Sequence, residues 1–472
     1  MRQNISKIAK AMNEPSILTI IPPIVAIIVA IWRKNALLAL AVGLWLTYFL
    51  KADFSPVASV VDSGIGLWET VSSTGNFRII LYSLLIGCLL QIMKQSGGIQ
   101  AFVDGVTGKS LVNSRKKAAM VPTVIGSVIF TDTNLSLFSA GMASQKLFER
   151  FNMSRAKLAY LIDSTCAPIS VLVLINGWGA YILGLIEAQN ITNGVSILID
   201  TLMFNFYALI AVALAYFTAF SGKTFGPLSH GTLYTEPKLA TDEPTDNKQE
   251  QIAATKASYF YVPLVLMVVT TFALLWHTGD GDLRKGSGSF SVLWAIITAI
   301  ITVSVMVLTS KALTFDKWLK ACGEGLKDMA PVVMILVLSF AFGDAVKAYG
   351  TGVYVSSVMS TDLPLLLVAP VIFLTAAAMA FSTGSSWSTF AILIPIAIPT
   401  AAATGLPPAF LVAAVLGGGI FGDHASPISD TTVVASIASD CDHIEHVKTQ
   451  LPYALFGGVV TIVLYLVIGG MV

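Results

Sequence analysis

The sequence predicts an all-α polytopic membrane protein built from two structural repeats of about six hydrophobic segments each. Three observations lead to this prediction. The chain has 472 residues, of which 55% are hydrophobic and only 12% are charged, whereas about 25% of residues are charged in soluble domains. The charged residues cluster, so that long uncharged runs separate them, and the mean hydropathy is +0.78. A polar stretch near the middle divides the chain into two halves that resemble each other.

The hydrophobic segments are long enough to cross a bilayer, which takes roughly 20 apolar residues in a helix. We expect helices rather than a β-barrel, because these runs lack the alternation of apolar and polar residues that barrel strands show. The expected segments lie at residues 15–32, 35–50, 77–95, 118–145, 157–187, 197–220, 259–276, 288–309, 330–347, 363–400, 408–438 and 451–472.

The composition argues against several classes of function. A net charge of +1 gives no reason to expect a nucleic-acid partner. The sequence has no nucleophile–base pair and no transition-metal motif, so we do not expect an enzyme. The cysteines have no metal-ligand spacing and are expected to be buried thiols; they are Cys88, Cys166, Cys322 and Cys441.

The polar stretch at residues 221–257 contains three prolines and both signs of charge, and it predicts a flexible linker that we place in the cytoplasm. Residues 1–14 are basic and run into the first apolar segment without a cleavage motif, which indicates a cytoplasmic tail. The first transmembrane repeat would then occupy residues 15–220 and the second residues 258–472.

Short matches between the halves support a duplication, because they occur in the same order and at nearly the same spacing. Repeats of this kind are typical of secondary transporters, whose sites lie near the membrane midplane where helices are broken or re-entrant. Whether the repeats are inverted or parallel depends on the number of crossings in each half, and the inverted arrangement is our expectation. The matched pairs are 62–67 with 321–326, 129–134 with 380–385, and 166–170 with 425–429.

The first predicted break contains Asp132, which is the only charged residue between 118 and 144. A carboxylate at the membrane midplane costs about 2.5–3.5 kcal/mol on insertion scales, so it must be protonated, paired, hydrated or bound to a cation. The neighbouring Thr133 and Asn134 offer further oxygen ligands for a hard cation. The alternative is a hydrogen-bonded contact between helices.

Two more segments follow the same pattern. Asp163 is the only charge between 158 and 186, and Pro168 frees a backbone carbonyl in that segment. The stretch 381–399 has no charge, but Gly384 permits a bend within a dense set of hydroxyl groups. Any one of these hydroxyls is typical of helix packing, whereas the density of the set indicates a site. The set comprises Ser382, Thr383, Ser385, Ser386, Ser388 and Thr389.

The last pattern is GDHASPISD, residues 422–430. In a continuous helix Asp423, Ser426 and Asp430 would share one face, and Pro427 would free the carbonyl of Asp423. Crowded, partly desolvated carboxylates bind protons readily, so such a group can exchange a proton for a cation, and His424 is a second titratable group. Zinc is not expected, because one histidine without a thiolate is too few ligands.

The stretch DCDHIEHVKTQ contains His443 and His446, and its amphipathic pattern predicts a solvated loop or an interfacial helix. Together, GDHASPISDTTVVAS and DCDHIEHVKTQLPYAL resemble the NhaC-type sodium/proton antiporters of the ion-transporter superfamily. STGSSWSTFAILIPI resembles the hydroxyl-rich segment of the same family.

The resemblance implies a multi-pass secondary transporter of the bacterial inner membrane, coupled to sodium and assembled as a homodimer. It implies a two-repeat fold with re-entrant or unwound segments. It also implies that the cation and proton roles fall on Asp132, Asp163, Asp423 and Asp430. Relatives in this family also include sodium-coupled carriers of amino acids and of malate or lactate.

Two functions therefore remain open, of which we predict the first and keep the second as the alternative. In the first, Na⁺/H⁺ antiport by alternating access, the ions bind at Asp132, Thr133, Asn134, Asp163, Ser382, Thr383, Ser385, Asp423, Ser426 and Asp430. In the second, a Na⁺-coupled carrier of an amino acid or small organic acid, the solute pocket is lined by Thr133, Ser386, Trp387 and His424. The density of hydroxyls favours the second, since bare sodium needs few of them. A channel or scaffold would not need duplicated broken helices around lone carboxylates.

Overall fold

The computed structural model describes residues 17–33, 35–106, 112–189, 191, 193–231, 233, 255–351, 354 and 364–471. The N-terminal tail at 1–14 and most of the predicted linker lie outside these residues. Within them the secondary structure is helical, apart from one isolated antiparallel bridge between Ser154 and Leu233.

The helices confirm the all-α membrane class. Nine described helices are long and apolar enough to cross a bilayer, or up to ten spans if one pair with a 43° bend is counted as a single span. In chain order the helices are α1 (Ile21–Arg33), α2 (Ala36–Lys51), α3 (Pro56–Ser72), α4 (Thr74–Gln95), α5 (Gly98–Val106), α6 (Arg115–Val128), α7 (Thr133–Arg150), α8 (Arg155–Leu172), α9 (Gly177–Glu187), α10 (Gly194–Phe204), α11 (Phe206–Ser221), α12 (Ser258–Thr278), α13 (Gly288–Thr309), α14 (Phe315–Ala348), α15 (Val368–Thr383), α16 (Ser386–Thr404), α17 (Pro408–Ala425), α18 (Asp430–Ala438) and α19 (His443–Gly469).

Helix α3 was not among the predicted segments, because Asp62 and Glu69 interrupt its apolar pattern. Its start nevertheless has strong local signals. Ser55 caps it by accepting a hydrogen bond from the backbone of Ala58, and Pro56 occupies the first helical position, where its fixed φ suits a helix and its missing N–H is not needed.

Helices α6 and α7 form a hairpin. Arg115, the first residue of α6, donates from Nε to the carbonyl of Phe151, directly after α7, at 2.9 Å. The two outer ends of the pair therefore meet, and residues 129–132 form its tip. With 14 residues in α6 and a rise of 1.5 Å per residue, the tip lies about 20 Å from those ends. Asp132 is the N-cap of α7 at this tip.

Two of the three matched pairs occupy corresponding positions, whereas 166–170 lies inside α8 and 425–429 spans the break between α17 and α18. The motif 129–134 spans the break between α6 and α7, and 380–385 spans the break between α15 and α16. The glycine pairs also correspond. Gly64 and Gly323 face open space, whereas Gly66 and Gly325 are crowded, since a Cβ on Gly325 would lie 2.2 Å from the backbone oxygen of Gly87. The inverted orientation of the repeats and the domain boundaries stay predictions.

The close approach at Gly87 and Gly325 lets α4 and α14 cross with their backbones nearly in contact, as small residues allow in membrane helices. Two pairs of polar side chains extend the contact between α4 and α14. Gln91 donates to Asp328 at 2.8 Å and Gln95 donates to Glu324 at 2.7 Å. This crossing fixes two long helices, one from each half of the chain, beside the broken helices.

Candidate functional site

Asp163 lies on α8 and is fully buried. Its Oδ2 accepts a 2.6 Å hydrogen bond from Gln450 Nε2 and lies 3.4 Å from His446 Nε2. Its Oδ1 has no hydrogen-bond partner among the described residues. A buried carboxylate with an open oxygen is costly, so this side chain has capacity for one more ligand or proton.

Asp423 lies near the end of α17 and is also fully buried. Both of its carboxylate oxygens lack a hydrogen-bond partner among the described residues. The hydroxyl and backbone amide of Ser386, at the start of α16, face this carboxylate without meeting hydrogen-bond geometry. An uncompensated charge buried in this way costs several kcal/mol, so Asp423 requires a proton or a cation.

His424, the residue after Asp423, connects this part of α17 to the polar side chains around Asp163. Its Nδ1 lies 3.0 Å from the hydroxyl of Tyr207, and its carbonyl accepts a 3.1 Å hydrogen bond from the same Gln450 Nε2 that contacts Asp163. His424 Nε2, His446 Nδ1 and Gln450 Oε1 have no partner in the described part of the chain. We call Asp163, Asp423, His424, His446 and Gln450 the buried polar centre.

Unsatisfied buried polar atoms are rare in proteins. The buried polar centre has six of them: Asp163 Oδ1, Asp423 Oδ1, Asp423 Oδ2, His424 Nε2, His446 Nδ1 and Gln450 Oε1. Such a concentration is typical of a site that binds an ion, water or protons. It lies well inside the helix bundle, since Asp163 is eight residues, or about 12 Å, along α8 from the first residue of that helix.

Close packing of α17 against α15 buries the side chain of Asp423 between helices. The glycines of α17 let it approach α15, since a Cβ on Gly418 would lie 2.3 Å from the carbonyl oxygen of Phe373 and one on Gly422 would lie 2.6 Å from that of Ala377. Larger residues at these positions would push the two helices apart. The carboxylate of Asp423 is thereby buried between helices rather than at the membrane surface.

The prediction of a solvated loop or interfacial helix for His446 was wrong. Asp442 caps α19 by accepting a 2.8 Å hydrogen bond from the backbone of Glu445, and His446 is fully buried with Gln450 one turn later. Their spacing of i, i+4 puts both side chains on the helix face that contacts Asp163. That spacing was the one signal in the sequence, and it was interpreted as the polar face of a surface helix. His443, in contrast, is only half-buried.

Asp132 lies at the hairpin tip, apart from the buried polar centre. It is half-buried, and its Oδ1 accepts a 2.7 Å hydrogen bond from the backbone of Leu135, which is the bonding of an N-cap. Thr133 donates to Ser170 Oγ at 3.0 Å, and Asn134 is exposed.

Asn176 forms hydrogen bonds at both helix breaks of the first half, the one between α6 and α7 and the one between α8 and α9. Its Nδ2 donates to the carbonyl oxygens of Phe130 at 2.8 Å and Ser170 at 2.7 Å. These carbonyls lie at the ends of broken helices, so Asn176 supplies the hydrogen bonds that the breaks leave unmade. The corresponding carbonyl of the second half, that of Phe381, accepts a 2.7 Å hydrogen bond from Ser426 Oγ.

The hydroxyls at the α15–α16 break mostly serve the local backbone. Thr383 donates to the carbonyl of Met379 at 2.8 Å, and the carbonyl of Ser385 accepts from the hydroxyls of Ser388 and Thr389, both at 3.0 Å. Ser385 is also the N-cap of α16. Ser382 is half-buried. The high density of hydroxyl side chains at this break is therefore explained in part by hydrogen bonds to the local backbone.

The face that Asp423, Ser426 and Asp430 would share in a continuous helix does not form, because the helix ends before it reaches Asp430. Helix α17 stops at Ala425 and α18 starts at Asp430, whose exposed side chain accepts a 2.9 Å hydrogen bond from its neighbour Thr431.

The carbonyl of Asp423 is not free either. It accepts hydrogen bonds from the backbone of Ser426 at 3.2 Å and from Thr432 Oγ1 at 3.0 Å. The predicted carbonyl ligand at this position is therefore occupied by the protein itself. Within the described residues no group of three or more His, Cys, Asp or Glu side chains is close enough to hold a metal ion.

Trp387 lines a cavity of about 30 Å³ together with Asp132. Its ring packs against Trp178 and Tyr181, with centroids 4.9 and 4.7 Å away. Thr133, Ser386 and His424, the other residues predicted to line a solute pocket, are not in the lining of this cavity. We call it the inner cavity.

A much larger cavity, of about 710 Å³, opens where α9 and α14 end and α4 begins. We call it the vestibule. Its lining is polar and includes the carboxylates of Glu69, Glu187 and Asp344 with the ammonium group of Lys285.

A layer of apolar residues separates the vestibule from the inner cavity. Along α4, Asn76 lines the vestibule and Ser83 the inner cavity, and the same order holds along α9 and α14. The residues between them are Ile79, Gly184 and Phe340. A Cβ on Gly184 would lie 2.6 Å from Ile79 Cγ2 and 3.2 Å from Phe340 Cζ. We call these three residues the septum.

Comparisons with known proteins agree with this architecture. The sequence profile of the Na⁺/H⁺ antiporter family matches residues 158–470. An uncharacterized protein of Haemophilus influenzae is 30% identical over 96% of this chain and 91% of its own length. The Na⁺/H⁺ antiporter NhaC of Bacillus subtilis is 27% identical over 36% of this chain and 38% of its own.

Another relative, the malate-2H⁺/Na⁺-lactate antiporter of Bacillus subtilis, is 32% identical over 31% of this chain and 32% of its own length. Among solved structures, the YdaH transporter of Alcanivorax borkumensis matches with a TM-score of 0.62 over 90% of each chain at 13% identity. That likeness concerns the fold alone. The profile match confirms the resemblance found in the sequence motifs.

Proposed function

The chain belongs to the Na⁺/H⁺ antiporter family, and on that premise we propose that it exchanges Na⁺ for H⁺ by alternating access, with Asp163 and Asp423 as the ion-binding carboxylates. The observation that carries the proposal is the set of unsatisfied oxygens on these two fully buried side chains. A buried carboxylate must be neutralised, and Na⁺ and H⁺ are alternative ways to neutralise it.

The two carboxylates suit different parts of the exchange. Asp423 has two open oxygens, and the hydroxyl of Ser386 faces them. Carboxylate and hydroxyl oxygens are ligands that a hard cation prefers, so we assign Na⁺ to this position. Asp163 lies beside the imidazole of His446, which can share a proton with it. We assign the proton to that pair.

Binding of Na⁺ at Asp423 and of H⁺ at Asp163 would be antagonistic. Gln450 contacts both Asp163 and the backbone of His424, the residue next to Asp423, and positive charge added at one carboxylate raises the cost of positive charge at the other in a medium of low dielectric. This antagonism is what an exchanger requires, because it keeps both ions from occupying the centre together.

The vestibule and septum support alternating access. The vestibule admits water and ions to the apolar layer, while the septum separates them from the inner cavity. A transporter must close one side while the other opens, and in this conformation the septum closes the path from the vestibule to the inner cavity.

The other predicted cation ligands flank the helix breaks and stay predictions: Asp132, Thr133, Asn134, Ser382, Thr383, Ser385, Ser426 and Asp430. The homodimer and the inner-membrane location also stay predictions.

Exchange of an organic solute is the second candidate, and the relative named as a malate-2H⁺/Na⁺-lactate antiporter favours it. The inner cavity, at about 30 Å³, has room for about one water molecule. An amino acid or organic acid would need a different conformation in which Trp387 moves away from Trp178 and Tyr181.

The two candidates can be separated with purified protein in liposomes that contain a pH dye. Proton movement on addition of Na⁺ alone would support Na⁺/H⁺ exchange, and Asp163→Asn and Asp423→Asn should each abolish it. Asp53→Asn, at an exposed loop carboxylate, is the matched control and should keep the wild-type rate. An unchanged internal pH in the wild type would contradict the proposal and direct the work to Na⁺-dependent uptake of organic acids.

A further inference from the structure

A basic pocket of about 210 Å³ lies at the other end of the bent α8–α9 pair from the vestibule. Lys157, in the first turn of α8, lines it, whereas Glu187, the last residue of α9, lines the vestibule. The pocket also contains Arg115 and Lys116 from the first turn of α6. No Asp or Glu is found among its described lining residues.

The three cations of the pocket have no ion-pair partner among the described residues. Arg155, which is nearby in sequence, differs from them, since its Nε lies 3.5 Å from Asp440 Oδ2. Arg115 uses Nε to contact the carbonyl of Phe151, and Lys116 Nζ lies 5.4 Å above the ring of Phe220. Three positive charges around one concavity without a carboxylate create a strong attraction for an anion.

The backbone adds to this attraction. Helices α6 and α8 both start at the pocket, where the positive ends of their dipoles lie. Ser114 and Ser154 cap these helices by accepting hydrogen bonds from the backbone of Lys117 at 3.3 Å and of Lys157 at 3.2 Å. Thr224 and Ser229 add hydroxyl groups to the wall. Cations and hydroxyls around a small cavity are the ligands that a phosphate group uses.

We propose that this pocket binds the phosphate of an anionic phospholipid headgroup. The pocket lies at a membrane-facing edge, because Phe217 and Phe220 of α11 expose 57% and 69% of their surfaces beside it. Those rings offer an apolar surface for acyl chains. Basic pockets between transmembrane helices are known to bind anionic lipid headgroups in this way. The proposal does not depend on the ions that the protein exchanges.

The headgroup would connect two helices that lead to the candidate site. Lys157 precedes Asp163 by six residues in α8, or about 9 Å along the helix. Helix α6 leads to the hairpin tip with Asp132. A phosphate held between Lys116 and Lys157 would therefore fix the starts of α6 and α8 relative to each other.

The test is native mass spectrometry of the full-length protein, titrated with phosphatidylglycerol or phosphatidylcholine. We expect one phosphatidylglycerol to be retained preferentially. Lys116→Gln and Lys157→Gln should each weaken its binding roughly fivefold, as expected for one basic residue near a lipid surface. Lys117→Gln is the matched control, since Lys117 is exposed in the same helical turn but does not line the pocket.

A second experiment distinguishes a lipid headgroup from free inorganic phosphate as the ligand of the pocket. Thermal unfolding of the wild type and of the Lys116→Gln variant would be followed with inorganic phosphate and with phosphatidylglycerol. Stabilisation by the lipid that Lys116→Gln removes and inorganic phosphate does not reproduce supports a headgroup site. Equal stabilisation by inorganic phosphate alone would overturn the lipid assignment.

Three outcomes would overturn the phosphate site itself. They are equal retention of phosphatidylcholine, unchanged lipid binding in the variants, and equal weakening by Lys117→Gln. If Lys157→Gln does not fold, the exposed Lys116 decides the result, because its replacement removes no buried contact.

Discussion

Gln450 Nε2 lies 2.6 Å from Asp163 Oδ2 and 3.1 Å from the carbonyl oxygen of His424. One amide group thus bridges α8 and α17 from a third helix, α19. Its position 287 residues after Asp163 makes the contact a product of the fold rather than of local sequence. The amide therefore fixes the distance between the two helices that contain the buried carboxylates.

Replacement of Gln450 should change the pH dependence of exchange. Gln450→Leu removes a donor to a carboxylate, a bond of about 1.5–3 kcal/mol, so the carboxylate should hold its proton more tightly. The pH of half-maximal exchange should then move upward by about 1 to 2 units. The measurement is the exchange rate in liposomes between pH 6 and 9, with Gln145→Leu, a half-buried glutamine on α7, as a control. An unchanged pH profile would remove Gln450 from the mechanism.

Asp132 can be tested separately for binding and for capping. Asp132→Asn keeps an N-cap side chain but removes the charge, whereas Asp132→Ala removes both. If Asp132 binds a cation, Asp132→Asn should abolish Na⁺-dependent proton movement in folded protein. Wild-type exchange in Asp132→Asn, with a loss of about 1 kcal/mol of stability in Asp132→Ala, would leave it a capping role only.

The septum predicts a sharp boundary in water access along α4. In a variant without native cysteines, Ser73→Cys, in the vestibule, should react quickly with a water-soluble thiol reagent added from the vestibule side. Ser83→Cys, in the inner cavity, should react slowly. Adding Phe340→Ala should speed the reaction at Ser83→Cys. Equal reactivity at both positions without that change would mean that the septum does not close the path.

The helix crossing at Gly325 predicts a stability difference between two glycines of α14 that are two residues apart. Gly325→Ala would place a methyl group against the backbone of Gly87 and should cost about 1–3 kcal/mol. Gly323→Ala meets open space and should stabilise α14 by about 0.5–1 kcal/mol. Thermal unfolding in detergent measures both. Equal unfolding temperatures for the two variants would contradict the close crossing.

Deletion within residues 236–250, which lie outside the described residues, should leave exchange intact if this stretch is a linker. The measurement is the exchange rate of the shortened protein in liposomes. Complete loss of transport in protein that still inserts into the membrane would assign the stretch a structural or regulatory role.

Local chemistry in the sequence predicted the helix breaks well. Asp132, Gly384 and Pro427 interrupt apolar runs, and each marks a break between helices. Glycine and proline weaken a helix by their own backbone properties, although Pro168 lies inside α8, which continues to Leu172. The isolated charge of Asp163 in an apolar segment likewise indicated burial, and the structure places it there.

The partners across the fold could not be predicted in the same way. An amphipathic pattern at His446 and Gln450 looks the same whether its polar face contacts water or a buried carboxylate, and only the packing of α19 decides. The shared helical face of Asp423 and Asp430 did not form, for a different reason. A periodicity of i, i+7 holds only within one helix, and Pro427 ended that helix before Asp430.

The hydrogen bonds to the carbonyls of Phe130 and Phe381 have a consequence for movement. Asn176 connects the α6–α7 tip to the α8–α9 break, and Ser426 connects the α15–α16 break to the end of α17. Each of these hydrogen bonds holds two interrupted helices together at a break. Displacement of one helix would cost that bond unless its partner moved with it, so we expect the connected helices to move together.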